Sequence, residues 1–357
     1  MIGLYIGSTD AFAGKNIVLM ALGLEMQRRG MRVGYMKPVG SLPKRVDDVI
    51  GDEDAIVIQE LLGLEISPDI LTPVIIPDNL RVTTLSDETD ALAAIQSAYN
   101  TISKDKDVML VGGCGSIQYT GTHRGVDGLT LSRKLGLKTL LVDRYRRNRL
   151  NYDAILNIKK TLGDDMLGVL FNDVPEDFSR DAEDILIPFL EKNDVDVFGM
   201  VPRDPMLNAI KASELSWRLK GKIISGNSQS QRIIQNFLIG TMQVENFMTY
   251  FRQSSNLATI VGGDRTDLQL IAMEGGCPCL IVTGNITPNE IVRARSEQLG
   301  VPVIQVPDDT YSVARRMELI LNSQKLRELV KIKRGAELVD NSFDYNKLCK
   351  KLDRQSE

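Results

Sequence analysis

The segment Gly3–Asn16 has the sequence GLYIGSTDAFAGKN and determines the fold that we expect for the rest of the chain. Its first part, Leu4–Ile6, is a short apolar run that predicts a β-strand. A loop of small residues follows, and Lys15 opens a predicted helix whose apolar residues recur at i, i+3, i+4 and i+7. A strand, a glycine-containing loop and a helix starting at Gly-Lys form a phosphate cradle, because free N–H groups, the helix dipole and the lysine all favour an anion.

The loop departs from the common phosphate-binding pattern G-x-x-x-x-G-K-[ST] at two positions. Thr9 stands where the first glycine is expected, and Asn16 stands where a hydroxyl would meet magnesium. Gly14 and Lys15 match the pattern, and Asp10 lies within the loop. The alternative is an ordinary strand-to-helix turn. We favour phosphate binding because the strand and the helix flank the loop correctly, and we expect binding of a nucleotide more than its turnover.

The composition bounds the class of protein. A length of 357 residues predicts two domains, and 43% hydrophobic with 25% charged residues is typical of a soluble globular protein. The net charge of -4 gives no electrostatic reason to expect nucleic acid or an anionic membrane as a partner. No apolar run reaches the length of a membrane span, and no signal-peptide pattern opens the chain, so we expect a cytoplasmic protein.

Histidine and cysteine exclude two kinds of site. His123 is the single histidine, which argues against a histidine-based triad or a multi-histidine metal centre. The four cysteines have no zinc-binding spacing, because the Cys277-Pro278-Cys279 pair has no second pair to match it. We therefore expect reduced thiols without a metal.

Two residues after the first helix are candidates for the same site. Lys37 ends the second predicted strand and would face the phosphate crevice, although a surface lysine before a proline turn is the alternative. Residues 41–53 are predicted to form a polar loop. Asp54 then lies in the first turn of a helix, where it could be a helix cap or a ligand of Mg²⁺. Spacing alone leaves both interpretations open.

Strands and helices alternate through the first 200 residues, which predicts a parallel sheet. The strand ending at Val111 runs into Gly112, where P-loop proteins commonly carry a metal-binding carboxylate. Another strand ends in the arginine-rich run Arg144–Arg149. These arginines could grip a phosphate, but we favour a solvated surface loop.

The chain is predicted to divide into three parts. Residues 1–205 form the P-loop domain, residues 206–322 form a smaller α/β domain, and residues 323–357 form a charged helical tail.

The first part resembles dethiobiotin synthetase and, more closely, the amino-terminal region of long bacterial phosphotransacetylases. The second part resembles the DRTGG domain that follows that region. The motifs that carry the resemblance are Gly7–Asp10 with Gly14-Lys15, Tyr35–Gly40, Asp54-Ala55, Val111–Gly113, Gly168–Asn172 and Gly199–Pro202, then Gly263–Asp267, Thr283–Asn285 and Pro307–Tyr311.

The resemblance implies a fold and roles for single residues. The fold is a P-loop NTPase-like parallel sheet with helices on both faces, followed by a smaller α/β DRTGG-like domain. Lys15 would hold nucleotide phosphates, Lys37 would face substrate or phosphate, and Asn172 would lie near the adenine. Asp54 would bind Mg²⁺, and Asn16 could offer a carbonyl oxygen to the same ion. The acyltransferase domain of those relatives is absent from these residues, so we expect no acetyl transfer.

Three functions remain as hypotheses. The first is a nucleotide-binding regulatory sensor with a degenerate P-loop and little or no turnover, which acts through its second domain on a protein partner or a homodimer. The second is an ATP- and Mg²⁺-dependent ligase of the dethiobiotin synthetase or cobyrinic acid diamide synthetase type, with Lys15 and Lys37 as its catalytic cations. The third is a structural subunit with a vestigial loop.

Overall fold

The structure is a computed structural model that describes residues 1–77, 90–146, 151–253, 255–322 and 328–353. Its strands are β1 (Ile2–Ser8), β2 (Val33–Met36), β3 (Val39–Gly40), β4 (Pro43–Val46), β5 (Val49–Asp52), β6 (Val74–Ile75), β7 (Val108–Gly112), β8 (Lys138–Arg144), β9 (Met166–Val174), β10 (Val197–Pro202), β11 (Ile210–Lys211), β12 (Lys222–Ser225), β13 (Ile233–Ile234), β14 (Asn236–Ile239), β15 (Leu257–Gly262), β16 (Leu280–Thr283) and β17 (Val303–Gln305).

The α-helices are α1 (Lys15–Arg28), α2 (Glu53–Leu61), α3 (Pro68–Leu71), α4 (Ala91–Ile102), α5 (Gly128–Lys134), α6 (Tyr152–Leu162), α7 (Glu176–Asp181), α8 (Ile187–Lys192), α9 (Ala212–Arg218), α10 (Val244–Phe251), α11 (Thr266–Glu274), α12 (Glu290–Leu299), α13 (Thr310–Asn322), α14 (Leu329–Ser342) and α15 (Tyr345–Asp353). A π-helical turn, Ala182–Leu186, joins α7 to α8. Within the described residues, no helix is both long enough and apolar enough to cross a bilayer.

The chain divides into two compact units. The first unit comprises Met1–Arg203 and Leu326–Glu357, and the second comprises Asp204–Lys325. The charged segment after residue 322 therefore returns to the first unit, where α14 and α15 account for its described part. Residues 323–327 and 354–357 of the expected tail lie outside the described residues.

The first unit is built on a six-stranded sheet in the order β10-β9-β8-β1-β7-β2. All five strand pairs are parallel, so the parallel sheet expected from the alternation of strands and helices is confirmed. Parallel sheets are covered by helices on both faces, and every residue of β7 is accordingly buried. Strand β1 lies between β7 and β8, which brings the loop after β1 to the middle of the carboxyl edge of the sheet.

Helix α1 is more buried than its one-sided pattern predicts. Residues 18–23 are all buried, although the pattern leaves part of this circumference to solvent. A second layer of helices explains the difference. A Cβ atom on Gly23 would lie 2.6 Å from Leu62, which follows α2, and Arg28 forms a 2.6 Å ion pair with Asp340 of α14. The returning segment thus covers the phosphate-loop helix.

The polar loop expected at residues 41–53 is a short hairpin. Strands β4 and β5 pair antiparallel from Pro43 opposite Asp52 to Val46 opposite Val49. Asp47 takes a left-handed conformation, with φ at +52°, which aspartate tolerates in a tight turn. The hairpin ends at Asp52, which caps α2.

The second unit has a five-stranded sheet in the order β12-β17-β16-β15-β14. Its strands are parallel except for the edge strand β12, which pairs antiparallel with β17. One apolar cluster includes Ile260 and Ile281, and another includes Val261 and Val282. Because neighbouring residues of a strand face opposite sides, the sheet has an apolar core on each face.

Candidate functional site

The loop of residues 9–14 turns β1 into α1 without a side-chain cap. Gly14 precedes the helix with φ at +101°, a conformation that glycine adopts without strain. Within the described chain, the backbone N–H groups of residues 12–16 have no hydrogen-bond acceptor. Five consecutive donors at a helix N-terminus are suited to bind an anion, because unpaired N–H groups need a partner and the dipole favours negative charge.

Side chains from neighbouring strand ends hold the carbonyl side of the loop. Arg146 donates to the backbone oxygen of Ala11 at 3.2 Å and to the carboxylate of Asp10 at 2.7 Å. Asn172 donates from Nδ2 to the backbone oxygen of Ala13 at 2.8 Å. Since N–H and C=O of a trans peptide point in opposite directions, these contacts turn the N–H groups toward the other side of the loop. The resemblance implies that Asn172 lies near an adenine. In the structure, the side chain of Asn172 contacts the loop itself.

Arg144 completes this set of contacts. Its Nη1 lies 3.5 Å from the backbone oxygen of Phe12, and its Nε and Nη2 lie 2.9 and 2.8 Å from the carboxylate of Asp173. Arg203 donates to the other oxygen of Asp173 at 3.0 Å. We call Arg144, Arg146 and Asn172 the loop clamp.

The loop clamp corrects the expectation of a solvated arginine loop. The side chain of Arg144 is only 11% exposed, and both Arg144 and Arg146 are engaged in ion pairs beside the phosphate cradle. The remainder of the run, residues 147–149, lies outside the described residues. The sequence signal was present in the arginines at and after the end of β8, but the loop residues that Arg144 and Arg146 contact are 130 or more residues away in the chain.

Lys15 is buried at the base of the cradle. Its Nζ donates to Ser8 Oγ at 2.6 Å and to the backbone oxygen of Gly115 at 2.9 Å. Burial lowers the pKa of Lys15 to about 8, and the positive charge of Lys37 acts in the same direction. Both of its partners are neutral acceptors, so an arriving phosphate would be the first anion to bind this ammonium group directly.

Thr9 has a partner that the sequence interpretation missed. Its hydroxyl donates to the carboxylate of Asp143, the penultimate residue of β8, which is 4% exposed. Asn151 donates to the same Asp143 oxygen at 3.1 Å and to Thr9 Oγ1 at 3.2 Å. Burial raises the pKa of Asp143, although the hydrogen bonds from Thr9 and Asn151 oppose that rise. Thr9 therefore anchors the start of the loop to β8.

Lys37 lies in a second cluster with two carboxylates. Its Nζ is 2.7 Å from Asp52 Oδ1 and 3.6 Å from Asp54 Oδ2. Burial opposes the charge of Lys37, but the two carboxylates outweigh burial and raise its pKa. Because the charges of Lys37 and Asp54 also act on Lys15, the two predicted lysines belong to one electrostatic neighbourhood.

The residues expected to bind Mg²⁺ form a sparse set. Asp54 contributes one carboxylate, and Asn16, half-buried in the first turn of α1, contributes a side-chain amide. At Gly112 a Cβ atom would lie 3.1 Å from Leu19 and 3.4 Å from the Tyr35 hydroxyl, so the packing there suits glycine. Among the described residues no group of three or more His, Cys, Asp or Glu could hold a metal. Mg²⁺ uses one or two carboxylates and otherwise water and phosphate, so the assignment of Asp54 and Asn16 to an ion that arrives with a nucleotide stays a prediction.

Comparison with protein families agrees with this architecture. A family model described as the DRTGG domain matches residues 214–320, and one described as the AAA domain matches residues 2–211. The resemblance inferred from the motifs is thereby confirmed.

Two curated relatives cover different shares of the chain. A phosphate acetyltransferase of Pseudomonas aeruginosa is 23% identical over 368 residues, which are 96% of this chain and 51% of the relative. The ATP-dependent dethiobiotin synthetase BioD of Thermodesulfovibrio yellowstonii is 25% identical over 224 residues, 59% of this chain and 93% of the relative. The chain thus spans about half the length of the acetyltransferases it matches and nearly all of the synthetase.

One similar solved structure shows the CBS and DRTGG domains of the regulatory region of Clostridium perfringens pyrophosphatase, complexed with diadenosine tetraphosphate. Its sequence is 22% identical to this chain over the matched residues. The match covers 32% of this chain and 48% of that one, with a TM-score of 0.28. The family model described as the AAA domain matches more than half of the length of this chain. The chain therefore belongs to the family of that AAA domain.

Proposed function

We propose that this chain binds ATP or a related nucleotide at the loop of residues 9–14 and acts as a regulatory sensor. The observation that carries the proposal is the row of five backbone N–H groups, residues 12–16, without an acceptor in the described chain, beside the buried ammonium of Lys15. Phosphate oxygens would satisfy these donors, because a helix N-terminus and a lysine together favour a multiply charged anion.

Little or no turnover is part of the proposal. Asp54 and Asn16 would hold Mg²⁺ that accompanies the nucleotide, and the ion would neutralise phosphate charge. Gly112 supplies no carboxylate at the end of β7, and Lys37 is already paired with Asp52. Charge that develops during phosphoryl transfer would thus find fewer free stabilising groups than catalysis requires.

The second unit would convey the bound state to a partner. It matches a DRTGG domain, and the similarity to a curated acetyltransferase covers 96% of this chain and therefore includes this unit. We propose that a protein partner or a second copy of the chain binds there, with no role for nucleic acid or membrane.

Thermal unfolding with ATP, ADP and GTP, with and without Mg²⁺, tests the proposal when it is combined with a phosphate-release assay. We expect a nucleotide to stabilise the wild type without release of phosphate, and we expect this stabilisation to be lost in Lys15→Met. Release of phosphate over many turnovers would contradict the sensor.

An ATP- and Mg²⁺-dependent ligase is the second candidate. The similarity to a dethiobiotin synthetase over 93% of that protein's length favours it, as does the electrostatic proximity of Lys15 and Lys37. Such an enzyme would activate a carboxylate or carbamate as a mixed phosphate anhydride, and its turnover would fall in Lys37→Met. A structural subunit with a vestigial loop would show no nucleotide stabilisation in either the parent or Lys15→Met.

A further inference from the structure

Asp52 is a buried carboxylate whose hydrogen-bonding capacity is filled from within the chain. Its Oδ1 accepts from Lys37 Nζ at 2.7 Å and from the backbone N–H groups of Asp54 and Ala55 at 3.0 and 3.1 Å. Its Oδ2 accepts from the N–H groups of Ser41 and Leu42, both at 3.0 Å. Five donors hold this anion in place, and one of them is the ammonium group of Lys37, which the resemblance implies would face substrate or phosphate.

The ion pair with Asp52 neutralises the positive charge of Lys37. Lys37 is 5% exposed and Asp52 is fully buried, so neither charge is screened by solvent. Asp54 adds a second carboxylate 3.6 Å from the ammonium, and the three groups together carry a formal charge of -1, from one positive and two negative side chains. An incoming anion would have to displace Asp52 to bind the ammonium group of Lys37 directly.

The space around Asp52 is also closed by packing. A Cβ atom on Gly40 would lie 2.6 Å from the Asp52 Cβ atom and 2.8 Å from the Thr72 methyl group. Asp52 is fixed at the end of β5 and at the start of α2, and two strands and a helix would have to shift to move it. The ion pair is thus part of the fold, in contrast to the exposed pairs at the surface.

We infer that Asp52 is a specificity-determining residue that occupies Lys37 as an internal anion, so that the crevice accepts nucleotide phosphates at Lys15 but no carboxylate- or carbamate-bearing second substrate at Lys37. This inference rests on the proposed nucleotide site and narrows it. The carboxylate of Asp52 occupies the position beside Lys37 that the acceptor anion of a ligase would need. This occupancy distinguishes a nucleotide-binding protein from an enzyme that uses the same lysine to bind a second substrate.

The test is calorimetric titration of oxalate, a carboxylate probe, into the protein saturated with ADP. The informative variant is Asp52→Ser, because serine is also a preferred N-cap and keeps the start of α2 while removing the anion. Asp48→Ser, at an exposed position in the turn of the same hairpin, is the matched control. The wild type and Asp48→Ser should show no detectable oxalate binding. Asp52→Ser should bind oxalate at least about tenfold more tightly than the detection limit, the scale of one charge-assisted hydrogen bond.

The gain in Asp52→Ser should vanish when Lys37→Met is added. Two results would overturn the inference. The first is that the wild-type ADP complex binds oxalate and that Lys37→Met abolishes this binding. The second is that a folded Asp52→Ser protein binds oxalate no better than the wild type. If Asp52→Ser does not fold, the wild-type titration with Lys37→Met decides alone. If ADP itself does not bind, the proposed function fails, and oxalate titrated into the ligand-free proteins still tests the role of Asp52.

Discussion

The side-chain amide of Asn172 occupies the space beside Gly14 that a Cβ atom on residue 14 would need. The same amide donates to the backbone oxygen of Ala13, so Asn172 both fills the side of the loop and fixes its direction. Gly14 is therefore required for two reasons, its left-handed backbone and the close approach of another side chain.

Gly14→Ala should abolish nucleotide binding, because the new methyl group displaces Asn172 and strains the turn into α1. The matched control is Gly30→Ala, where φ is +81° but nothing lies within 4 Å of the added carbon. Both variants should lose about 1 kcal/mol of unfolding free energy from backbone strain. Calorimetric ATP titration should separate them, and equal ATP affinities in the two variants would contradict the role of Asn172.

Arg146→Gln should weaken nucleotide binding several-fold without unfolding the protein. The guanidinium that holds Asp10 and the Ala11 carbonyl is lost, so the loop N–H groups are less well directed. Arg32→Gln is the control, because it removes an exposed pair with Asp107 outside the cradle. An affinity that falls as much in Arg32→Gln as in Arg146→Gln would show a general charge effect instead of a local one.

Asp173→Asn should destabilise the first unit by about 1–3 kcal/mol, since it leaves two arginines without their shared carboxylate. Asparagine tolerates the left-handed backbone of residue 173, with φ at +58°, so the variant isolates the charge. Asp165→Asn, which removes a more exposed pair with Lys138, should cost less than about 1 kcal/mol. Denaturant unfolding measures both, and equal losses would contradict the bridging role.

Nucleotide binding should weaken as the pH rises through about 8, the pKa of Lys15 in the ligand-free fold. Phosphate favours the charged lysine, so binding near pH 8 should take up a proton, which calorimetry in buffers of different ionisation enthalpy detects. Binding without proton uptake at that pH would mean that Lys15 does not contact the phosphate.

The same pKa predicts a stability effect without nucleotide. Lys15 has a folded pKa of about 8 and an ordinary value of 10.5, so between these pH values the unfolded chain holds more protons. Stability therefore rises with pH in that window. The wild type should gain stability relative to Lys15→Met from pH 8 to 10.5, as measured by denaturant unfolding at each pH.

The local sequence pattern predicted the strand and the helix that flank the phosphate-binding loop, but not the side chains that contact this loop. Periodicity located β1 and α1, and the position of Lys37 at a strand end placed it near Lys15. The sequence interpretation places Asp52 in a polar loop because residues 41–53 contain several charged residues and no long apolar run, although Gly51 and Asp52 at the end of β5 are buried. The loop clamp joins residues far apart in sequence, and such contacts are set by strand order. The burial of α1 by α14 was missed because these two helices are also far apart in the sequence.

The most direct test of the central claim is the unfolding free energy with and without ATP, for the wild type and for Lys15→Met. At about 100 times the dissociation constant, ATP should stabilise the wild type by about 2.7 kcal/mol. Lys15→Met should show little or none of this gain, because it removes the ammonium and leaves only the N–H groups. Equal stabilisation of both proteins, or of neither, would contradict the account that nucleotide binds at the loop of residues 9–14.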